Sequence, residues 1–199
     1  MSFRKEKKYR VSLSEMLVIK DKLTLDGMTT LYPERKIKSC YFDNETLDMF
    51  NQSEEGVLPR RKVRVRWYNN SLKFSKEIKI SSLEGRYKKT EKIDRCNSED
   101  DILKISFLDN EYGLLTPKLY VSYERHYFTY KSLRLTFDRN IVYSLLTSHI
   151  KRTISDSECV IEIKTPIDTD DEYIEKFITF PTSRFSKYSR GFLNFNVFN

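Results

Sequence analysis

The sequence predicts an α+β fold, in which about eight mostly antiparallel strands close into a β-barrel and helices pack outside it. Several segments alternate charged and apolar residues with the period of two that is typical of a strand. These segments are joined by short turns, as expected for antiparallel neighbours. About eight strands is also the number at which a sheet closes into a barrel just wide enough for side chains or one slim ligand.

The strand predicted at Pro59–Tyr68 has the clearest alternation. One face carries Lys62, Arg64, Arg66 and Tyr68, and the other carries Val63, Val65 and Trp67. The dipeptide Asn69-Asn70 follows, and Asn tolerates the positive φ of a tight hairpin turn. We therefore expect a hairpin to the next strand, Leu72–Ile80, and a third antiparallel strand at Arg86–Ile93.

The remaining elements follow from periodicity and from capping signals. Before the hairpin we expect a strand at Phe3–Ser12, a helix capped by Ser12 or Ser14, a strand at Lys36–Phe42 and a short helix after Asp43. After it we expect a helix over Ser98–Phe107, strands at Lys118–Phe128, Leu133–Asp138, Ile141–Tyr143 and Cys159–Lys164, and a helix over Asp170–Phe180. Lys151 and Arg152 are interpreted as a solvated loop.

Composition limits the class of protein. The chain has 199 residues, a net charge of +7, and 33% charged residues. We expect one domain, 1–199, with an anionic partner. Its three cysteines lack the spacing of a zinc site or a disulfide framework, which favours a reducing, cytoplasmic location. No apolar run is long enough to cross a bilayer, although docking onto a membrane partner stays open.

Charge at period two ordinarily marks the solvated face of a sheet. Here the opposite faces of several strands are apolar and must be covered. If helices cover them from outside, the charged faces point into a tunnel, where aligned like charges are unfavourable unless compensated. Phosphates compensate well, because Arg grips their oxygens in two places. The carboxylates among the cations are then ion-pair partners or ligands for Mg²⁺ or Mn²⁺: Glu6, Glu77 and Glu162.

A series of short motifs resembles the VTC domain, the polyphosphate polymerase branch of the triphosphate tunnel metalloenzyme (CYTH-like) superfamily. In chain order the matching residues are Arg4, Glu6 and Lys8 in RKEKK; Arg64 and Arg66 in RKVRVRWY; Glu77 and Lys79 in KEIK; Lys88 and Lys89 in RYKK; Tyr123 and Arg125 in YERHYF; Arg134 and Asp138 in RLTFD; Glu162 and Lys164 in IEIK; and Lys187 in FSKY. Each motif alone is weak, but their shared order is specific. The resemblance covers nearly the whole chain and implies a barrel with a basic triphosphate tunnel.

The resemblance also implies roles for most of these residues. Phosphoryl transfer would depend on Arg64, Arg66, Lys79 and Arg125. Phosphates would also contact Arg4, Lys8, Lys62, Lys88, Lys89, Tyr123, Arg134, Lys164 and Lys187. A divalent ion, Mn²⁺ or Mg²⁺, would bind Glu162, with Glu6 and Glu77 as further candidate ligands.

The implied activity is transfer of the γ-phosphoryl group of ATP to a growing polyphosphate chain. Arg4 occupies the first Glu position of the superfamily's Glu-x-Glu-x-Lys signature, so hydrolysis that relies on several carboxylate-bound metals is less well supported. Two alternatives stay open: an inorganic or nucleoside triphosphatase, and a non-catalytic module that binds polyphosphate or another polyanion. ATP or another nucleoside triphosphate is the expected partner, and no specific nucleic acid is expected.

Overall fold

The protein is described by a computed structural model that covers residues 4–69, 71–146 and 151–195, without the side chains of Arg4 and Lys151. These residues form ten strands and five helices. The strands are β1 (Arg4–Val11), β2 (Thr29–Asp43), β3 (Arg60–Tyr68), β4 (Phe74–Ser82), β5 (Gly85–Ile93), β6 (Phe107–Asp109), β7 (Gly113–Tyr130), β8 (Leu133–Leu146), β9 (Lys151–Ser155) and β10 (Cys159–Pro166). The helices are α1 (Leu13–Leu25), α2 (Asp48–Glu55), α3 (Glu99–Ile102), α4 (Asp171–Glu175) and α5 (Lys187–Asn194).

Hydrogen-bonded neighbours follow the order β1-β10-β8-β7-β2-β3-β4-β5, while β6 pairs with β7 and β9 pairs with β8. The pairs β1–β10, β10–β8, β2–β3, β3–β4 and β4–β5 are antiparallel. The predicted α+β class, dominated by antiparallel strands, is confirmed. No helix among the described residues is long and apolar enough to span a membrane.

The chain divides into two compact units, each made of three segments. Unit 1 comprises Met1–Lys36, Tyr123–Ile141 and Ser155–Phe185, and unit 2 comprises Ile37–Ser122, Val142–Ile154 and Ser186–Asn199. Strands β2, β7 and β8 each contribute residues to both units. The expectation of one domain over 1–199 stays a prediction.

The core of unit 1 lies between its strands and helix α1. Ser12 caps this helix through a capping box with Glu15, which satisfies backbone donors at the helix start. The buried residues Met16, Ile19 and Leu23 of α1 join one apolar cluster with alternate residues of the strands, among them Ile161 and Ile163. Because strand side chains alternate between faces, residues such as Glu162 and Lys164 lie on the opposite face of β10.

The core of unit 2 contains Val63, Val65 and Trp67, the apolar face predicted for β3. Aromatic residues of α2 and α5 pack together, with the rings of Phe50 and Phe192 5.1 Å apart. Gly191 lets α5 approach the sheet closely, because a Cβ atom at this position would lie 2.5 Å from the Leu119 side chain. Side chains of β3 that alternate with this core, including Arg64 and Arg66, therefore lie on the other face.

Several predicted elements differ from the structure in extent. Strand β2 begins at Thr29, seven positions before the prediction, because its extended backbone continues through Pro33. The strands predicted at Leu133–Asp138 and Ile141–Tyr143 form one strand, β8, in which Asn140 adopts a φ of 51°. The alternation of side chains between the two faces of the sheet breaks at Asn140, although β8 continues as one strand. At the predicted hairpin Asn69 has a φ of 51°, while Asn70 lies outside the described residues.

Two predicted helices are shorter than expected, and one predicted loop is a strand. The helix expected over Ser98–Phe107 is only α3, and Phe107 instead begins β6, where it pairs with Leu115. Residues 151 and 152 belong to strand β9, not to a loop. The helix expected over Asp170–Phe180 ends at Glu175 in α4. Helix α5 was not predicted. In the first two cases a pairing with a distant strand decided the structure, and such a pairing leaves no local signal.

Candidate functional site

Five cations and one carboxylate lie together on one face of β3, β4 and β5 in unit 2. We call this group the unit 2 cluster: Lys62, Arg64, Arg66, Glu77, Lys79 and Lys88. Arg64 and Glu77 are opposite in the β3–β4 register and are both buried. Arg64 donates to Glu77 Oε2 from Nε at 2.8 Å and from Nη2 at 2.5 Å, and Lys88 Nζ donates to Glu77 Oε1 at 2.5 Å. Glu77 thus holds two cations in place.

The electrostatics of Glu77 follow from these contacts. Burial alone would raise the pKa of this carboxyl, but Arg64, Arg66 and the hydrogen bond from Lys88 lower it to about 2. Glu77 is therefore ionised at neutral pH. Both of its oxygens accept hydrogen bonds from cations, which is the ion-pair role considered for it above. Its assignment as a metal ligand stays a prediction.

Two neutral side chains of β2 orient the arginines. The Tyr41 hydroxyl lies 3.0 Å from Arg64 Nη1, and the Ser39 hydroxyl lies 3.1 Å from Arg66 Nε. Both are opposite their arginine partners in the β2–β3 register. Buried arginines oriented by hydrogen bonds keep their guanidinium groups in fixed directions, which favours recognition of phosphate oxygens. The sequence analysis missed Ser39 and Tyr41, because a polar residue that alternates with core residues gives no distinct signal.

Three lysines form a row across the same strands. Lys62 is the Cα partner of Lys79 in the β3–β4 register, and Lys79 is the partner of Lys88 in the β4–β5 register. Like charges directly opposite one another destabilise a sheet. Lys89 does not join the row, because it follows Lys88 in β5 and pairs with the exposed Glu91 at 2.6 Å. An anion that spans the row would relieve the repulsion.

Helix α5 begins beside this cluster. Its capping residue, Ser186, accepts a hydrogen bond from Lys62 Nζ at 2.8 Å, and Lys187 is the first helical residue. Tyr188 donates a short hydrogen bond to the buried carboxylate of Asp43. Burial raises the pKa of Asp43, although hydrogen bonds from Tyr188 and from three backbone N–H groups oppose this. These contacts hold the start of α5, and with it Lys187, next to Lys62.

A second group of charges lies on β1, β7, β8 and β10 in unit 1. We call it the unit 1 cluster: Glu6, Arg125, Asp138, Glu162 and Lys164. Arg125 donates to both oxygens of the fully buried Asp138, from Nε at 2.5 Å and from Nη2 at 2.7 Å. Its Nη2 also lies 3.7 Å from Glu162. Burial would lower the pKa of Arg125, but Asp138, Tyr123 and Glu162 raise it well above its usual value. This guanidinium is permanently charged and rigidly held.

Lys164 stands between two carboxylates of the unit 1 cluster. Its Nζ lies 3.3 Å from Glu6 and 3.2 Å from Glu162. Lys8 is opposite Glu162 in the β1–β10 register, and its Nζ donates to the Phe185 carbonyl at 2.8 Å. The ring centre of Tyr123 lies 5.3 Å from the Arg125 guanidinium carbon. The structure thus brings together the predicted residues of this region, apart from Arg4, whose side chain is not described.

Within the described part of the chain, strand β8 contributes two buried side-chain polar atoms without hydrogen-bond partners. Arg134 Nε and Thr136 Oγ1 are both buried, and neither has a hydrogen-bond partner in the described part of the chain. Thr136 is the Cα partner of Glu162, and Arg134 is the partner of Lys164. Because a buried polar group without a partner is costly, these atoms indicate a ligand or water at the unit 1 cluster. Sequence analysis assigned no role to Thr136 or Asp138, although both share the alternation of Arg134.

The carboxylates of the unit 1 cluster suit a divalent cation that also binds the phosphates of a substrate. No group of three or more His, Cys, Asp or Glu residues that could hold a metal ion occurs within residues 4–69, 71–146 and 151–195. Mg²⁺, however, is commonly bound through one or two carboxylates together with substrate phosphates. Glu162 and Glu6 offer such carboxylates next to cations that suit phosphate. A metal that arrives with its phosphate ligand is therefore compatible with these residues.

Comparisons with known proteins agree with this geometry. The sequence model of the VTC domain family matches residues 3–196. No curated protein sequence matches the chain. Two similar solved structures are putative adenylate cyclases by name. The Bacillus halodurans protein has 14% identity and a TM-score of 0.60 over 93% of this chain and 94% of its own. The Vibrio parahaemolyticus protein has 13% identity and a TM-score of 0.53 over 93% and 95%.

A third solved structure comes from Hippeastrum and is described as an adenylyl cyclase candidate with a dominant triphosphatase activity. It has 15% identity and a TM-score of 0.55 over 95% of each chain. At such identities the likeness establishes the fold alone. It confirms the tunnel-type fold that the motifs predicted.

Proposed function

The chain belongs to the VTC domain family of the triphosphate tunnel superfamily, and we propose that it is an ATP-dependent polyphosphate polymerase. In this reaction the bond between the γ-phosphorus of ATP and the β–γ bridging oxygen breaks. A bond forms between that phosphorus and a terminal oxygen of the acceptor chain, and ADP leaves. The reaction needs two polyanions, a nucleotide and an acceptor chain, and both the unit 1 cluster and the unit 2 cluster contain cations that suit phosphate.

The observation that carries the proposal is the row formed by Lys62, Lys79 and Lys88, with Arg64 and Arg66 beside it. Lysine placed opposite lysine on adjacent strands lowers stability. Glu77 compensates part of this charge through Lys88, and an anion lying across the row would compensate more of it. Polyphosphate is a linear anion with a charge on every phosphate, so one chain can contact every cation in the row. A single small anion would compensate only part of it.

The proposed roles follow from how each side chain is held. Arg64 and Arg66 are buried and oriented by hydrogen bonds, so they would bind phosphate oxygens with little reorganisation. Lys79, with Lys62 and Lys88, would supply further positive charge. Arg125 is fixed by Asp138 and would stabilise the charge that develops on the transferred group. Phosphoryl transfer depends mainly on such positioning, so no side chain is needed as a covalent nucleophile.

Glu162 and Glu6 would hold Mn²⁺ or Mg²⁺ jointly with the phosphates. When bound, the ion would neutralise negative charge on the phosphate oxygens. Lys164 contacts both carboxylates and would orient them. Lys8, whose Nζ donates to the Phe185 carbonyl, and Lys187 would add contacts to phosphates. Arg4 and Lys89 stay predictions without a described contact to either cluster.

Hydrolysis of tripolyphosphate or a nucleoside triphosphate is the second candidate, because the Hippeastrum protein has a dominant triphosphatase activity. The same cations would bind either substrate. The distinction rests on whether water or a phosphate oxygen accepts the γ-phosphoryl group. A non-catalytic polyphosphate binder is the third candidate and would use the same lysine row.

The test is to incubate the purified protein with ATP and Mn²⁺, resolve products on a gel stained for long polyphosphate, and assay ADP and orthophosphate. Long chains with equimolar ADP are expected, and EDTA should abolish them. Arg66→Ala should lower the rate about 10²-fold, since it removes one oriented donor. Arg152→Ala, an exposed arginine of β9, is the matched control. Orthophosphate without chains would replace the polymerase with a triphosphatase, and tight polyphosphate binding without turnover would indicate a binding module.

A further inference from the structure

We propose that Tyr32, Arg35, Tyr127 and Arg134 form a binding site for the nucleobase of the nucleoside triphosphate. The inference rests on the proposed use of a nucleotide and goes beyond it, because polyphosphate and tripolyphosphate have no base. All four residues belong to unit 1. We call them the base site.

The base site consists of two aromatic rings and two guanidinium groups. The rings of Tyr32 and Tyr127 meet edge to face, with centroids 5.8 Å apart. The Arg35 guanidinium carbon lies 5.7 Å from the Tyr32 ring centre and 5.6 Å from that of Tyr127. Arg134 lies 5.7 Å from the Tyr32 ring centre. Aromatic rings and guanidinium planes are the surfaces on which proteins stack nucleobases.

The site is accessible on one side and buried on the other. Tyr32 is 43% exposed, while Tyr127 is 6% exposed. Part of the Tyr32 side chain is therefore open to a flat ligand, while two arginine guanidinium groups lie over its ring. The buried Tyr127 fixes the edge of Tyr32, so that the exposed ring is held in place before a ligand arrives. This preorganisation lowers the cost of ordering side chains on binding.

Arg134 has a buried polar atom that a ligand in the base site would satisfy. Its Nε atom is buried and has no hydrogen-bond partner in the described residues. Nucleobases carry ring nitrogens and carbonyl oxygens that accept hydrogen bonds from arginine. A base that accepts from Nε would remove the cost of the unsatisfied donor and would also be oriented by it.

The base site adjoins the proposed phosphate contacts of unit 1. Arg134 on β8 is the Cα partner of Lys164 on β10, and Lys164 contacts Glu162 and Glu6. A nucleotide whose phosphates contact Lys164 would therefore have its base within reach of the residues around Arg134. A phosphate ligand alone would account for the presence of Arg35 and Arg134, but it would give no role to the partly exposed Tyr32.

The test compares ATP with inorganic tripolyphosphate, because the two share phosphates and differ in the nucleoside. Dissociation constants are measured by calorimetry for the full chain, for Tyr32→Ala and for Tyr32→Phe, at one fixed concentration of Mn²⁺. Tyr32→Ala should weaken ATP binding about tenfold, as expected for loss of one stacking platform, and leave tripolyphosphate binding unchanged. Tyr32→Phe should retain ATP binding. Tyr87→Ala is the control, since this tyrosine of β5 is similarly exposed, at 38%.

Two results would overturn the base site. Equal weakening of ATP and tripolyphosphate in Tyr32→Ala would mean that the ring supports phosphate contacts or the fold. Unchanged binding of both ligands would mean that Tyr32 contacts neither. In both cases the wild-type chain still binds tripolyphosphate and the proposed function stands. If the wild-type chain binds neither ligand, the proposed function fails together with the base site.

Discussion

Arg64 directs two N–H groups at a single oxygen of Glu77, from Nε at 2.8 Å and from Nη2 at 2.5 Å. The arginine is 7% exposed and the glutamate 3% exposed. Burying two charges is costly even when they are paired, so such a pair contributes little to stability by itself. The pair instead holds Arg64 at a fixed position among the other cations of the unit 2 cluster.

Replacing Glu77 by Gln should destabilise the protein by about 3 kcal/mol, because Arg64 then remains buried without its anion. The loss should shrink when tripolyphosphate is present, since a phosphate can take the place of the carboxylate. The measurement is the free energy of unfolding in urea, with and without tripolyphosphate. The control is Glu91→Gln, which removes an exposed partner of Lys89 and should have little effect. Equal destabilisation with and without the anion would contradict a phosphate contact at Arg64.

The same carboxylate predicts a pH dependence of stability. In the folded protein the pKa of Glu77 is about 2, against an ordinary value of 4.5. A lowered pKa in the folded state stabilises the protein above pH 4.5, and this contribution is lost as the pH falls from 4.5 towards 2. Wild type and Glu77→Gln should therefore differ in unfolding free energy at pH 6 and converge by about pH 2. A difference that stays constant over this range would show that the Glu77 charge is not the cause.

The second buried pair makes a separate prediction about catalysis. Asp138 accepts hydrogen bonds from Arg125 on both carboxylate oxygens. Asp138→Asn would keep the size of the side chain but lose the charge and one acceptor, so the guanidinium would lose its orientation. We expect turnover of ATP to fall about 10²-fold, the typical cost of misplacing a reacting or stabilising group.

Stability must be separated from catalysis in this variant. Loss of the buried anion should also lower the unfolding free energy by about 3 kcal/mol, so turnover is measured at a temperature where the variant is folded by circular dichroism. Glu158→Gln, which removes the partner of Arg10, is the control. Full turnover in a folded Asp138→Asn protein would exclude Arg125 orientation as a catalytic requirement.

Two adjacent lysines of β5 offer a matched pair. Lys88 contacts Glu77 of the unit 2 cluster, while Lys89 pairs with Glu91. Each Ala variant removes one positive charge from nearly the same place in the chain. Lys88→Ala should weaken tripolyphosphate binding about tenfold, the cost of one charged hydrogen bond, and Lys89→Ala should leave it nearly unchanged. Equal effects, measured by calorimetry, would mean that only the overall charge of β5 matters.

The two lysines also illustrate what the sequence could predict. The period of two correctly separated the charged and apolar faces of β3, because ten consecutive residues of the sequence contain the pattern of both faces. Motif resemblance alone assigned both Lys88 and Lys89 to phosphate, although strand alternation places neighbours on opposite faces. The pairings of Glu77 with Arg64 and Lys88 depend on the register of three strands. No local pattern specifies that register.

Other differences have the same origin. Strand β9 was missed because its pairing with β8 is not encoded in the polar residues 151 and 152. Ser39 and Tyr41 were missed because their roles depend on being opposite Arg66 and Arg64. Residue type indicates an anionic ligand, which stays a prediction, while the partners that orient each cation required the structure.

Thr136 allows a final test of whether the unit 1 cluster binds phosphate. Its hydroxyl is buried without a partner in the described residues, so Thr136→Val should leave the stability of the unliganded protein unchanged or raise it by about 1 kcal/mol. Tripolyphosphate binding should weaken about fivefold, because a hydrogen bond to phosphate is lost. The control is Thr129→Val, whose hydroxyl donates to the Leu133 carbonyl at 3.5 Å. A hydroxyl that served folding alone would give the opposite pattern, in which Thr136→Val lowers stability and leaves the calorimetric affinity for tripolyphosphate intact.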